Sequence, residues 1–422
     1  MKRRDFIKLA GAGTALGTLS GLAGCASSVP AKARVVVIGG GFGGATAAKY
    51  IRLWAPSIDV VMVERESAYV SCPMSNLVLG GFNSMQELTN SYDGLRQHGV
   101  QVVRDEAVAI DAAKKTVRLS RGGDVAYERL VVSPGIDFNF GEIQGYELAM
   151  QQGQVLHAWK AGAQTMQLRR QLEGLRDGGV VILSIPLAPY RCPPGPYERA
   201  CMIAAYLKQA KPRSKLLVLD ANADVSSKGG MFKAAWKDHY AGVLEYRGNA
   251  KVVAIEGQAV RTEFDTVKGD VLNVVPPHRA GDIAMKAGLI THNNRWCDVD
   301  WRSMESKKIR DIHVLGDATL SAPVMPKSGS MANNHAKIAA AAIVGALTGR
   351  GVAGSDPKIL NTCYSFVSKN EAIRVSSVHE WNAGQGTLLP VKGAGGVSAA
   401  RSELEANYAW NWARSIWADS LG

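Results

Sequence analysis

Along the chain, short runs of continuous apolar residues alternate with longer segments of helical spacing, and each run is closed by glycine, proline or an acid. Arg34-Val35-Val36-Val37-Ile38 is the first such run. Its β-branched residues are apolar on both faces, which predicts a strand buried inside a parallel sheet. The run stops at glycine, residues 45–54 continue with helix formers and one apolar face, and Asp59–Glu64 supplies a second strand. Residues 178–185 and Lys215–Asp220 repeat the arrangement around a helix predicted over 197–208. Two such β-α-β units predict an α/β fold with two Rossmann-like dinucleotide-binding domains, similar in build to the glutathione-reductase type.

Other pieces fill in the first unit. Residues 101–103 and 108–110 read as short strands, Val117-Arg118-Leu119 alternates as an antiparallel strand does, and 127–132 is a further buried strand ended by Ser133-Pro134-Gly135. The chain returns to this unit through Ile312-His313-Val314-Leu315-Gly316-Asp317, a strand ending in Gly-Asp, followed by an alanine-rich helix over 332–347. From 351 the character changes to a C-terminal α+β piece, an interface domain, that ends in Tyr408, Trp410, Trp412 and Trp417. Core packing is the expected use for most of these aromatics. The division expected is a signal region over 1–33, a discontinuous first domain over 34–144 and 280–350, a second over 145–279, and the C-terminal domain over 351–422.

The 422 residues carry a formal charge of +12. Five positive and one negative side chains lie in the first thirty-three residues, which leaves +8 for the rest. That balance favours an anionic substrate or an acidic protein partner. No basic run is interleaved with aromatics, so nucleic acid is not expected. Lys2-Arg3-Arg4-Asp5-Phe6-Ile7-Lys8 precedes a glycine- and alanine-rich stretch too short and too weakly apolar to span a bilayer. It resembles a bacterial twin-arginine signal, which exports proteins folded around a cofactor and predicts a periplasmic location. Two processing readings stand side by side: cleavage after Ala33, or a lipoprotein box Leu22-Ala23-Gly24-Cys25 that would leave a lipid anchor at Cys25.

The candidate chemistry begins at the first turn. Gly39, Gly41 and Gly44 have the G-x-G-x-x-G spacing between strand and helix: one for the tight turn, one for close approach of a pyrophosphate, one for helix–strand packing. Glu64 ends the next strand, where a carboxylate accepts from a ribose hydroxyl. Gly316 and Asp317, with Lys327 in the segment Met325-Pro326-Lys327-Ser328-Gly329, complete the expected cofactor set. The turn of the second unit is different. Four of the eight residues from Pro189 to Pro196 are prolines, which remove the backbone donors that a phosphate nest needs.

Six cysteines stand at 25, 72, 192, 201, 297 and 363, with no C-x-x-C pair for a metal and no C-x-x-C-H for haem. No metal site is expected, and any haem belongs to a partner chain. By themselves, Cys192 and Cys363 read first as a structural disulfide of an exported protein, and Cys201 and Cys297 as structural thiols.

Four segments resemble the flavoprotein subunit of flavocytochrome c sulfide dehydrogenase: Tyr69-Val70-Ser71-Cys72-Pro73-Met74-Ser75-Asn76, the loop and helix start Arg191-Cys192-Pro193-Pro194-Gly195-Pro196-Tyr197-Glu198-Arg199-Ala200, Met325 to Gly329, and Asn361-Thr362-Cys363-Tyr364-Ser365. The resemblance runs from about Arg34 to the C-terminus. It implies FAD attached covalently through Cys72, a redox disulfide between Cys192 and Cys363 beside the flavin, and Glu198 as a carboxylate that moves a proton. It also implies oxidation of hydrosulfide to polysulfide or sulfur, with electrons passed to a c-type cytochrome. Sulfide:quinone oxidoreductase, an NADH-dependent flavin reductase and a non-enzymatic flavin-bearing assembly subunit are the alternatives.

Overall fold

In the computed structural model, residues 33–350 and 356–422 are described. The expected signal region, with Cys25, lies outside the described residues except for Ala33. Five parallel strands form the first sheet in the spatial order Ile312–Val314, Arg129–Val132, Arg34–Ile38, Asp59–Glu64, Val100–Arg104. Val35, Val36 and Val37 at its centre are fully buried. That is what their unbroken β-branched run requires. The helices Phe42–Trp54 and Gly329–Thr348 meet through small side chains, Ala45 and Ala48 in the same core as Ala336 and Ala340.

Both helices start earlier than the apolar pattern predicts, for local reasons. Gly41 takes extended angles and lets the first helix begin at Phe42. Ser328 caps the second, its hydroxyl accepting from Met331 N, so that helix begins at Gly329 instead of at 332. The strand expected over 127–132 shortens to Arg129–Val132, because Tyr127 N turns to Lys115 O instead.

The second sheet is again parallel, in the order Val155–Leu156, Val271–Val274, Val180–Ile185, Lys215–Asp220, Leu244–Arg247. Each parallel sheet is accompanied by a three-stranded antiparallel meander, Ala107–Asp111 with Thr116–Leu119 and Asp124–Ala126, and Val252–Glu256 with Ala259–Thr262 and Thr266–Lys268. The C-terminal piece is a third, antiparallel sheet, Lys358–Phe366, Ala372–Asn382 and Thr387–Val397, followed by the helix Glu403–Leu421. That helix lies against Phe42–Trp54: Asp419 accepts from Tyr50 Oη at 2.6 Å and from Asn333 Nδ2 at 2.7 Å. Ala33–Gly422 cluster as one unit. Among the described residues no helix is long and apolar enough to cross a membrane.

Candidate functional site

A cleft of about 400 Å³ opens at the carboxyl ends of the first sheet's strands and is closed by the start of the helix Gly195–Ala210 and by the strand Lys358–Phe366. The three glycines of the first turn do three different things there. Gly39 has φ +95°, and a Cβ on it would lie 2.3 Å from Ser133 O. A Cβ on Gly44 would lie 1.8 Å from Gly39 O, so helix and strand can pack only without it. Gly41 lines the cleft, and a Cβ there would meet no atom within 4 Å. The open space at that position is the approach a pyrophosphate needs. Glu64 also faces the cleft, its Oε2 accepting from Gly40 N at 2.7 Å and its Oε1 from Glu66 N at 2.9 Å.

The far side is built on the loop after Ile312–Val314. Gly316 (φ +67°) turns the chain, and Asp317 lines the cleft with a buried Oδ1 that has no hydrogen-bond partner. Burial pushes this carboxyl up, against the pull of Arg191 and Lys327. A buried acceptor left open calls for a donor from outside the chain, and a polyol of the ribityl kind supplies one. The open Gly41, the acid at Glu64 and the unmet acceptor on Asp317 together fit a flavin dinucleotide. Gly329, Ser330 and Ala332 present the start of the following helix to the same space. Lys327 does not line it, contrary to expectation. Its ammonium donates to Asp317 O at 3.1 Å and to Thr319 O and sits 3.7 Å over the Trp296 ring, where burial pulls it down to about 7. Lys327 therefore braces the loop that carries Asp317.

Cys72, Cys192, Cys363 and Glu198 all reach this one cleft. Cys72 follows the short strand Tyr69–Val70. Its carbonyl accepts from Ser75 N and from Ser75 Oγ, and its sulfur accepts from Ala161 N at 3.5 Å. Cys192 sits at φ +58°, held between Lys327 O, which accepts its N–H at 2.8 Å, and Gly195 N, which donates to its carbonyl at 2.8 Å. A Cβ on Gly195 would come within 2.9 Å of the Cys192 sulfur, so that glycine makes room for the thiol. Cys363 lies on the strand Lys358–Phe366, with Asn361 Oδ1 3.7 Å from its sulfur. In this structure Cys192 and Cys363 are free thiols. The fold brings two half-buried thiols to one wall. Burial raises both, and the negative charges of Cys363 and Glu198 raise Cys192 further.

Glu198 is buried between the two lobes of the wall. Its Oε1 accepts from Phe366 N and its Oε2 from Asn76 Nδ2, each at 2.8 Å, and burial pushes the carboxyl up. Several groups around it gave no separate signal in the chain. Arg199 is almost fully buried, donates to Asn76 Oδ1, His157 O, Ala158 O and Asn273 Oδ1, and lies 4.6 Å over the Trp159 ring. Burial brings it down to about 9. Arg191 donates to Trp159 O and faces Cys72, Asp317 and Cys192. Lys228, also buried, donates to Cys363 O at 3.2 Å and Ser365 Oγ at 2.8 Å. Trp412, expected as core, lines the cleft beside Tyr364, and Trp417 Nε1 donates to Ser71 Oγ at 3.0 Å, which pins the C-terminal helix to the Cys72 loop.

At the second β-α-β unit the corresponding acid is closed in by the chain's own groups. Asp220 ends its second strand as Glu64 does in the first, but it is fully buried. Its Oδ2 accepts from Tyr197 Oη at 2.8 Å and Tyr246 Oη at 2.9 Å, and its Oδ1 from Asn222 N and Nδ2 at 2.9 and 2.7 Å. Tyr197, in the first turn of the helix Gly195–Ala210 that joins the two strands, is itself fully buried. The chain's own hydroxyls stand where a ribose would donate.

Comparison with known proteins gives three family models along the chain. Residues 33–172 match pyridine nucleotide-disulphide oxidoreductase, residues 165–276 the central part of the sulfide dehydrogenase [flavocytochrome c] flavoprotein chain, and residues 355–421 the flavin-binding part of flavocytochrome c sulphide dehydrogenase. The chain is 62% identical over 45 residues to the sulfide dehydrogenase [flavocytochrome c] flavoprotein chain of Chlorobaculum thiosulfatiphilum, covering 94% of that sequence and 11% of its own. It is 22% identical over 297 residues to the mitochondrial sulfide:quinone oxidoreductase of Mus musculus, or 68% of this chain, and spans only 65% of that relative's length. Among solved structures, the sulfide:quinone oxidoreductase of Aquifex aeolicus superposes with a TM-score of 0.74 at 19% identity, covering 92% of this chain and 91% of the other. The two-sheet architecture is thus the one the apolar pattern predicts.

Proposed function

The chain belongs to the flavocytochrome c sulfide dehydrogenase flavoprotein family, and from that premise we propose that it oxidises hydrosulfide to polysulfide or sulfur by means of bound FAD. The observation that carries the reading is the convergence of Cys192, Cys363 and Glu198 on the cleft that also holds Gly41, Glu64 and Asp317. Hydrosulfide is an anion, and Arg191, Arg199 and Lys228 supply the positive potential that draws it in. It attacks one sulfur of the closed Cys192–Cys363 disulfide. The S–S bond breaks, that cysteine becomes a persulfide and the other leaves as a thiolate. A second hydrosulfide attacks the outer sulfur, HSS⁻ departs, and the cysteine is left as a thiol. Reclosure of the disulfide from this thiol and thiolate gives up two electrons and one proton.

Bound FAD is the group that accepts the electron pair and passes electrons on singly. The proton goes to Glu198, whose buried carboxylate is the stronger base for being buried. Gly41 and Glu64 would hold the dinucleotide, Asp317 would accept from its ribityl chain, and Cys72 would form the thioether that attaches it. The electrons go to a c-type cytochrome, a partner subunit or a soluble protein that carries the haem, in the periplasm, reached by the twin-arginine route with or without a lipid on Cys25. The length of chain shared with the sulfide:quinone oxidoreductases favours quinone as the second reading of the acceptor.

Anaerobic titration with sulfide tests the whole reading. The flavin of the wild type bleaches at stoichiometric sulfide and recovers on adding a c-type cytochrome; recovery only with a soluble quinone favours the second reading. Cys192→Ser and Cys363→Ser each abolish bleaching by sulfide while dithionite still bleaches both. Bleaching at the wild-type rate in both variants would remove the disulfide from the mechanism.

A further inference from the structure

Lys228 is the buried cation that the steps above leave without a specific task. It precedes the helix Gly229–Tyr240 in a left-handed conformation (φ +57°) and is 7% exposed. Its ammonium donates to three neutral oxygens, Cys363 O at 3.2 Å, Ser365 Oγ at 2.8 Å and Ile373 O at 3.3 Å, on two neighbouring strands of the C-terminal sheet. Among the described residues it forms no ion pair with a carboxylate. The Phe232 ring lies 5.9 Å from it. A buried ammonium held by neutral groups is costly, and the cost falls when an anion stands beside it.

The groups that face this ammonium are few. Cys363 comes from the strand it grips, Glu198 from the helix Gly195–Ala210, Cys192 from the loop before that helix, and Glu405 from the C-terminal helix; Arg191 acts on Cys192 from the same loop. Glu198 already accepts from Phe366 N and Asn76 Nδ2. The polar side chains at the Cys363 sulfur, Asn361 and the Ser328 hydroxyl, are neutral, so among the described residues Lys228 is the cation that acts on it most strongly.

We propose that Lys228 is the fixed counter-cation of Cys363, a positioning residue that grips the cysteine's own backbone and balances the negative charge its sulfur carries once the pair is open. The inference rests on the reaction proposed above and deepens it. Whichever sulfur hydrosulfide takes first, the Cys363 sulfur gains negative charge in one of the two exchange steps: it leaves as the thiolate in the first if Cys192 is attacked, and if Cys363 bears the persulfide it carries the developing charge in the second, before the proton reaches it. No atom is added or lost through Lys228. Its charge lowers the energy of the leaving thiolate. The same field acts on the thiol at equilibrium: Lys228 offsets the rise that burial imposes on Cys363, and the charge of the cysteine in turn offsets the fall that burial imposes on the lysine.

The test is the pH dependence of alkylation. The holoprotein, reduced with dithiothreitol, is treated with iodoacetamide across a pH series, and modification of Cys363 and Cys192 is read separately by peptide mass spectrometry. In the wild type Cys363 is alkylated at lower pH than Cys192. Lys228→Met raises the Cys363 midpoint by about one pH unit, roughly tenfold less thiolate at a fixed lower pH, and Lys228→Arg restores it. A midpoint unmoved in a folded Lys228→Met overturns the proposal. So does alkylation of Cys192 before Cys363 in the wild type, a measurement that stands if the methionine variant does not fold. Because alkylation needs no sulfide, a shifted midpoint in a protein whose flavin sulfide does not bleach would keep the counter-cation and remove the proposed reaction.

Discussion

The two β-α-β units share strand direction, connection and even an acid at the end of the second strand, yet one is open and the other is sealed. At the first, Gly41 leaves free space and Glu64 faces the cleft. At the second, Asp220 is fully buried under the hydroxyls of Tyr197 and Tyr246. The difference lies in the turn. Glycine leaves amides exposed at the start of a helix, where an anion is stabilised; proline at 193, 194 and 196 removes them and carries Tyr197 into the vacated place. What the sealed turn offers instead is a rigid mount for Cys192. Topology alone would assign both units a nucleotide.

The sharpest way to break this comparison is to fill the open turn. Gly41 has φ −75°, so Gly41→Val suffers no backbone strain and its side chain points into empty space. The expected product is a folded, colourless protein, with retention of flavin read from the visible spectrum. Gly44→Ala is the control, since its Cβ would strike Gly39 O. It should lose on the order of 3 kcal/mol of stability by overpacking, measured by denaturant unfolding. If Gly41→Val purifies yellow, the open turn is not where the dinucleotide lies.

A second prediction concerns what only the open unit has, a cysteine beside its cofactor space. Cys72→Ala should keep flavin while native, because Gly41, Glu64 and Asp317 are untouched. Acid precipitation should then leave the colour in the supernatant, whereas the wild-type pellet stays yellow. Flavin recovered free from the wild type would show that the thioether is not made.

The sealed unit gives a smaller, opposite test. Tyr197→Phe removes one of the hydroxyls that satisfy Asp220, at a cost of about 1–3 kcal/mol, and leaves the prolines in place. NADH should reduce the flavin poorly in both wild type and variant. Rapid, saturable bleaching by NADH in the wild type would mean that the second unit still holds a nucleotide.

Much of this contrast is legible in the chain because it is written in glycine and proline, whose backbone effects are local. The three glycines, the proline loop and the strand-end acids needed no tertiary information. The helix start at Gly329 is the kind of detail an apolar pattern misses, because a serine cap has no hydrophobic signature. Lys327 was misplaced for another reason: its segment borders the cofactor space, but its side chain turns to the carbonyls of Asp317 and Thr319, a choice only the folded loop sets. Arg199 and Lys228 were silent because a buried cation reads, in sequence, like any surface cation. Only packing distinguishes them.

The finest prediction falls where the two units meet, at Glu198, whose helix begins in the sealed unit and whose carboxylate accepts from Asn76, near Cys72, and from Phe366. Burial raises this carboxyl above its ordinary value. Its contribution to stability is therefore fullest at low pH and is lost as pH rises from the ordinary carboxylate range through the raised value. Glu198→Gln should abolish that decline. It should also cost about 1–3 kcal/mol at low pH, because glutamine offers one acceptor where two donors converge. Asn76 cannot turn to relieve the mismatch: its Oδ1 is held by Arg199 Nε at 3.0 Å. In the proposed reaction, sulfide-dependent bleaching in the wild type should speed up as pH rises through the Glu198 titration, since the carboxylate is the proposed proton acceptor. Glutamine should erase that limb while dithionite reduction stays unchanged. A variant that loses stability but keeps the wild-type pH profile would make Glu198 a strut between the lobes, and the proton would need another acceptor.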